Sequence, residues 1–241
     1  GGPRSTIMTA CSSSAIALGV AADLIASGQV ERALAGGAEG LCRLTLAGFG
    51  ALRALDPEPC RPFDAERRGL NLGEGAAAVV LEAEPVARAR GARIYGRLLG
   101  YGVTADAHHM TAPHPEGAGA ARAMRAALRD AGLSPEAIGY INAHGTATPQ
   151  NDSAETAAIK AVFGARAPEI PVSSIKAAVG HTLGAAGAIE AVASLLALHQ
   201  GFLPPTVNHR RAEDGFGLDY IPGEARAARV DAVLSANFAF G

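Results

Sequence analysis

The stretch Tyr140-Ile-Asn-Ala-His-Gly-Thr-Ala-Thr-Pro-Gln-Asn-Asp152, running on into Ser153-Ala-Glu-Thr-Ala-Ala-Ile-Lys-Ala-Val-Phe163, decides the fold. Tyr140–Ala143 predicts a short strand, a Gly- and Thr-containing loop follows, and residues 153–163 carry a helical pattern. Outward from this unit the alternation continues. On the C-terminal side come strand Val172–Ser174, helix Ala185–Gln200 and strand Ala232–Ala236. On the N-terminal side lies helix Gly117–Ala131, with Met124, Ala127, Leu128 and Ala131 on one face and Gly132 as its stop signal. Farther back, strands are predicted at Ser5–Thr9, Arg32–Gly37, Ala76–Glu82 and Ile94–Val103, the middle two apolar enough to be buried. Helix Ser13–Ser27 has Ile16, Val20, Leu24 and Ile25 at helical spacing. Such alternation favours an α/β protein with a mainly parallel sheet covered by helices.

Composition narrows the class. The 241 residues hold 21 basic and 23 acidic side chains, a formal charge of −2, which argues against a nucleic-acid-binding domain. Apolar residues make up 49%, enough for a sizeable core, so disorder is excluded. Three Cys without zinc-type spacing exclude a disulfide scaffold and a metal finger. The apolar run Leu183–Leu198 is interrupted by Glu190 and reads as too short to span a bilayer. No signal peptide opens the chain. The expectation is a soluble, cytoplasmic protein.

Loops fall at Asp56–Pro62 and Pro204–Pro205, and no short-period repeat is present. Charged, helical Ala83–Arg93 reads as a hinge between two halves. Neither the opening Gly-Gly-Pro nor the closing Asn-Phe-Ala-Phe-Gly241 reads as a natural domain edge.

Three segments could carry chemistry. Cys11, in Thr-Ala-Cys-Ser-Ser-Ser, falls between a predicted strand and a predicted helix. A thiol there feels the positive end of the helix dipole, which lowers its pKa. A buried structural Cys is the alternative, and Cys42 and Cys60 keep that reading. His144 follows strand Tyr140–Ala143, at the carboxyl end where open α/β sheets place ligands. Gly145 permits close backbone approach, and Thr146 and Thr148 offer hydroxyls; a His that caps a turn is the alternative. Ser173-Ser-Ile-Lys-Ala-Ala-Val-Gly-His-Thr-Leu-Gly-Ala-Ala-Gly187 carries Lys176 and His181. Glu190 follows in an apolar helix, where a charge needs a partner, and Lys176 is the nearest cation. A surface pair of little weight is the alternative. Together, one thiol and two His at separate strand ends form a nucleophile with two hydrogen-bonding partners.

With these motifs in order, the chain resembles the elongating β-ketoacyl-acyl carrier protein synthases, the Cys-His-His condensing enzymes of fatty acid and polyketide synthesis. The likeness also covers Gly36-Gly-Ala-Glu39, Arg61-Pro-Phe-Asp64, Gly73-Glu-Gly75 and Phe238-Ala-Phe-Gly241. It implies a thiolase-like fold, layered α-β-α-β-α with mixed five-stranded sheets. Residues 1–92 would end the N-terminal half and carry the nucleophile; residues 93–241 would form the C-terminal half with both His. By that template the fold is incomplete at both ends, lacking roughly the first third and a last strand.

The resemblance further implies a decarboxylative Claisen condensation. Cys11 would carry the acyl group, with an oxyanion held by the backbone N–H groups of Cys11 and Phe240. His144 and His181, neutral with Nε2 protonated, would act mainly on the malonyl half-reaction. Lys176 counts with them as catalytic, supported by Glu190, and Thr146, Thr148 and Phe238 would bind substrate. Phe240 would gate the acyl tunnel, and Ala239, where the family usually has Gly, would slow it. No cofactor is implied, since substrates arrive on the phosphopantetheine of an acyl carrier protein. That acidic partner would dock on Arg53, with Arg67 or Arg68 beside it. Pairing of Ser5–Thr9 with its copy would give a homodimer, or a ketosynthase-type heterodimer; nucleic acid and membrane are not expected partners.

The initiating Cys-His-Asn class is disfavoured by His181, and a chain-length-factor-like chain by Cys11. The remaining alternative is a truncated or subunit-like chain that is inactive without missing segments or a partner. No metal is expected: the His108, His109 and His114 group lacks a completing carboxylate or Cys. The resemblance places His109 and Thr111 near the malonyl pocket instead.

Overall fold

A computed structural model describes residues 2–240; Gly1 and Gly241, the ends of the opening and closing motifs, lie outside the described residues. A short 3-10 turn, Ala10–Ser12, leads into α1 (Ser13–Ala26). Strand β1 (Arg32–Glu39) and strand β2 (Gly75–Glu82) form an antiparallel pair, with α2 (Arg43–Ala51) in the connection between them. α3 (Glu84–Ala89) is the charged connector, and α4 (Ala118–Asp130) follows. Then come β3 (Tyr140–Asn142), α5 (Pro149–Phe163), β4 (Val172–Ser173), α6 (Lys176–Val179) and α7 (Ala186–Gln200). A small antiparallel pair, β5 (Phe202–Leu203) with β6 (Arg226–Ala227), precedes β7 (Val233–Ser235).

The layers are α/β, as expected. β4-β3-β7 is a parallel sheet. α1 and α7 pack between it and the β1–β2 pair, with α7 touching both. α4 and α5 close the other side: Met124, Leu128, Ile159 and Phe163 join Ile141, Val172 and Leu234 in the main core. The helical run Leu183–Gln200 is longer than its apolar stretch alone and has the length and hydropathy of a membrane span. Its packing on α1, β1, β2 and β7, and the ion pair made by Glu190, make it a core helix here.

Several expectations change. Residues 5–9 form no strand. A strand needs a neighbour to take its N–H groups, and among the described residues none runs beside it; the Thr9 N–H turns to Ser13 Oγ at 2.9 Å. Residues 94–103 are also without a ladder and lie extended over the helices. There the Tyr101 N–H meets Asp130 Oδ2 at 2.9 Å, and the Tyr101 ring lies over Gly19, where a Cβ would sit 2.5 Å away. Among the described residues the sheets hold three, two and two strands, short of the expected five. β1 and β2 are buried on one face only, for Leu34 and Val80 pair outward at 76% and 64% exposure. α5 starts earlier than its apolar pattern, because Pro149 suits a first helical position.

Gly37 has a geometric reason. A Cβ there would lie 2.6 Å from the Gly184 carbonyl and 2.8 Å from Ser14 Cβ. β1 can therefore lie directly against the start of α1 and the turn after His181.

Candidate active site

Parallel strands point their carboxyl ends the same way, and this decides where the site forms. The loop after β3 carries His144, the loop after β4 leads to His181, and the loop after β7 carries Asn237, Phe238 and Phe240. The 3-10 turn before α1 supplies Cys11, packed against α7 and the 183–185 turn. Sequence-distant residues thereby meet at one end of the fold.

The Sγ of Cys11 lies 3.0 Å from Nε2 of His181. The His144 and His181 rings stand edge to face at a centroid distance of 5.2 Å, and Phe238 packs on His144 at 5.7 Å. Sγ and one nitrogen from each ring all lie within 4.8 Å of one another, and all three residues are buried. This set could ligate a soft divalent ion; it is equally a nucleophile facing two imidazoles. Thr146, Thr148, Phe238 and Phe240 border the same cleft, and so do His109 and Thr111.

The protonation states follow from burial. Burial drives both His well below the usual imidazole range, and the Lys176 charge adds to the effect. Both rings are therefore neutral near pH 7. The Leu183 N–H donates to Nδ1 of His181 at 3.3 Å, which leaves the ring proton on Nε2, facing Sγ. Cys11 departs from expectation. Its thiol is pushed up to about 11, because burial outweighs the Lys176 charge and a backbone hydrogen bond, which lower it.

Lys176 and Glu190 form a buried ion pair, 2% and 1% exposed. Asn237 donates to the other Glu190 oxygen. Burial raises Glu190, and the Lys176 charge opposes it. Lys176 is absent from the cleft wall, so its field, and not its contact, reaches the His rings. Arg53 is exposed at the end of α2 with a left-handed φ of 52°. Arg67, by contrast, is 7% exposed and bound to Asp152 and Glu213, so it offers nothing to a docking partner. Arg68 is exposed but sits 3.6 Å from Asp56. Phe240 is 46% exposed and packs on Phe49 with centroids 5.8 Å apart.

Residues 1–87 match the model of the β-ketoacyl synthase N-terminal domain, and residues 95–210 that of the C-terminal domain. The chain belongs to the β-ketoacyl synthase family. It is 47% identical to a Synechocystis 3-oxoacyl-[acyl-carrier-protein] synthase 2 over all of its own length and 59% of that protein. Identity is 46% to the Coxiella burnetii protein of the same name, over 60% of its length. Among solved structures, the ishigamide ketosynthase/chain length factor superposes with a TM-score of 0.94 at 45% identity, over 98% of this chain and 58% of that one. A type II polyketide ketosynthase, bound to a hexaketide and in complex with its acyl-carrier protein, gives 0.97 at 38% identity, over 99% and 60%. The chain thus spans about three fifths of the length of the curated relatives it matches.

Two residues of the site escape a reading by motif. Glu155 accepts the backbone N–H groups of His144 at 2.7 Å and Gly145 at 2.8 Å. Asp152 accepts those of Ala147 at 3.2 Å and Phe63 at 2.7 Å. Burial raises Glu155 to about 7 and Asp152 to about 6. They clamp the His144 turn from both ends. The available signal was two carboxylates one helical turn apart at the start of α5, directly after the His144 loop. Gly145 completes the turn: its φ is +40°, and a Cβ would sit 2.5 Å from Ser174 Cβ.

Proposed function

We propose that this chain carries the Cys-His-His centre of an elongating β-ketoacyl-acyl carrier protein synthase, an acyltransferase that works by decarboxylative Claisen condensation. The observation that carries this reading is the buried thiol of Cys11 against Nε2 of His181, with the His144 ring beside it. Residues 1–92 supply the nucleophile and residues 93–241 the two His, as two halves of the thiolase-like fold.

In the first half-reaction, Cys11 sulfur attacks the carbonyl of an acyl thioester carried on phosphopantetheine. The carrier thiol leaves with the proton, and an acyl-Cys11 bond remains. Backbone N–H groups of Cys11 and Phe240 hold the oxyanion, each worth about 3 kcal/mol. Nε2–H of His181 donates to sulfur and stabilises thiolate character that burial alone disfavours.

In the second, a malonyl thioester occupies the cleft beside Thr146, Thr148 and Phe238. Carbon dioxide departs and its bonding electrons form an enolate, whose oxygen accepts hydrogen bonds from Nε2–H of His144 and His181. The carbanion attacks acyl-Cys11, the sulfur leaves, and a β-ketoacyl chain two carbons longer stays on the carrier. Burial, with the Lys176 charge adding to it, keeps both rings neutral and therefore donors. The chemistry calls for no resident cofactor. The product is an extended fatty acyl or polyketide chain, made in the cytoplasm by a homodimer or a ketosynthase-type heterodimer. Arg53 meets the acidic carrier, and Phe240 gates the acyl channel.

Incubation with an acyl thioester, followed by peptide mass mapping, tests the first step. Acyl label on Cys11 with carbon dioxide release from a malonyl carrier supports the reading; label on another residue overturns it.

A second reading has its own observation. The outward face of β1–β2 exposes Leu34 and Val80, and an apolar face of this kind marks an interaction surface. On that reading the chain is subunit-like and turns over only when another polypeptide covers the face. Sedimentation together with the acylation assay separates the two.

A further inference from the structure

Arg67 is a charged residue in an interior position that the chemistry above does not use. Its Nη2 donates to the Pro149 carbonyl at 2.9 Å and to Ser153 Oγ at 2.9 Å, gripping the first turn of α5. Its Nη1 donates to the Asp64 carbonyl at 3.0 Å and to the Glu213 carboxylate. Its Nε lies 3.7 Å from Asp152 Oδ2, and the guanidinium sits 4.9 Å from the centre of the Phe216 ring. One side chain thus joins three segments: the loop after Arg61, the start of α5 and the loop before Phe216. A planar fork with donors in fixed directions suits this work, and a lysine cannot reproduce it.

The contacts lead to the site in two steps. Asp152 sits between Arg67 and the His144 turn. Its Oδ2 takes the Phe63 N–H, and its Oδ1 takes the Ala147 N–H. Ala147 is itself left-handed, with φ 66°, a conformation that a non-glycine residue keeps only when its surroundings impose it. The Asn151 amide bridges Asp152 and Glu155 at 3.1 and 3.2 Å, so the two clamps on the turn are coupled. Burial raises both carboxylates, and the Arg67 charge opposes this at Asp152.

We infer that Arg67 is a positioning residue for the malonyl half-reaction: it holds Asp152 and the start of α5 so that the 144–147 turn presents the His144 ring to the enolate. This rests on the condensing-enzyme reading above. Cys11 and His181 are carried by other elements, so acylation of Cys11 does not depend on Arg67.

The test compares the unsubstituted chain with Arg67→Met and Arg67→Lys, by two independent measurements. The first is backbone amide exchange at Phe63 and Ala147, with Met124 and Leu128 in α4 as the internal reference. Arg67→Met is expected to speed exchange at Phe63 and Ala147 and leave α4 unchanged. Arg67→Lys keeps the charge but loses the fork, and is expected to fall between. The second is carbon dioxide release from a malonyl carrier set against acylation of Cys11. Arg67→Met should lower the former by roughly 10- to 100-fold, the range for a displaced catalytic group, with the latter retained and Arg67→Lys partly restoring it. Unchanged exchange at both amides, or equal loss of both half-reactions, overturns the inference. Should Arg67→Met fail to fold, Arg67→Lys decides: protection at Ala147 equal to the unsubstituted chain overturns it. Should the unsubstituted chain neither acylate nor decarboxylate, the condensing-enzyme reading fails, and amide exchange still judges the role of Arg67.

Discussion

His181 Nε2 stands 3.0 Å from Cys11 Sγ across 170 residues of chain. The ring is fixed at its other nitrogen by the Leu183 N–H, and its backbone is held by the loop before β2: its N–H donates to the Asn71 carbonyl at 2.7 Å, and its carbonyl accepts the Gly73 N–H at 3.0 Å. The backbone of His181 is thus fixed, and the Leu183 N–H restrains rotation of its ring. The contact also couples the second His to the thiol, whereas His144 stands off and faces the cleft.

That difference separates the two imidazoles. His144→Ala should abolish decarboxylation of the malonyl substrate and leave most acylation of Cys11. His181→Ala should impair both, because it removes the donor on sulfur as well as one donor on the enolate. Single-turnover acylation and carbon dioxide release, measured side by side, check this. Identical profiles for the two variants would contradict it.

Thiol reactivity should invert between reagents. Cys42 is exposed and its thiol is held below the usual range by the Thr45 hydroxyl at 3.0 Å, whereas burial pushes Cys11 up to about 11. Iodoacetamide at pH 7 should modify Cys42 first, since thiolate fraction and access govern such attack. An acyl thioester that enters the cleft should label Cys11 and spare Cys42 and Cys60. Peptide mapping after each reagent decides, and fast alkylation of Cys11 would refute the burial argument.

Stability should carry a signature of Glu155. Its folded pKa of about 7 lies above the usual glutamate value of 4.5, so the native state holds the extra proton. Its contribution is therefore most favourable at low pH and falls as pH rises from 4.5 to 7, by on the order of 3 kcal/mol. The two buried His run the other way, gaining stability as pH rises towards 6.5, so the comparison must be between variants. Relative to the parent, Glu155→Gln should become progressively less destabilised from pH 5 to pH 7.5. Urea unfolding at both pH values measures it; a constant difference would exclude the shift.

Arg53→Glu should raise the apparent KM for a carrier-bound substrate several-fold and leave small thioesters unaffected. Exposed charges act on encounter and orientation more than on chemistry. The effect should shrink at high salt. Steady-state kinetics at two ionic strengths test it, and an equal change for both substrate types would remove Arg53 from the docking surface.

Gly37→Ala should destabilise the fold by roughly 1–3 kcal/mol, the range for overpacking a filled interior. The added methyl meets backbone at Gly184 and not a movable side-chain end. Since Gly184 follows His181 closely, condensation should weaken along with thermal stability. A variant with unchanged melting temperature would show that the turn yields.

Much of this was legible in the residues themselves. Helical spacing marked α1, α4 and α7, and Tyr140–Ala143 and Val172–Ser174 marked the strands whose ends carry the site, because both patterns repeat over a few neighbouring residues. The pairing of Lys176 with Glu190 was legible too, since one charge in an apolar helix requires its opposite nearby. Tertiary structure decided what depends on distant segments. Residues 5–9 and 94–103 have strand-like composition but no ladder, since hydrogen bonding needs a neighbour that composition does not name. Arg67 reads as a surface charge until the loop before Phe216 and the start of α5 close over it. The Cys11 thiol shows the limit most plainly. Its place before a helix, visible in sequence, suggests a lowered pKa; burial, with α7 and the 183–185 turn packed against it, instead raises it to about 11. Desolvation is set by everything that covers a group, and only the folded chain determines that.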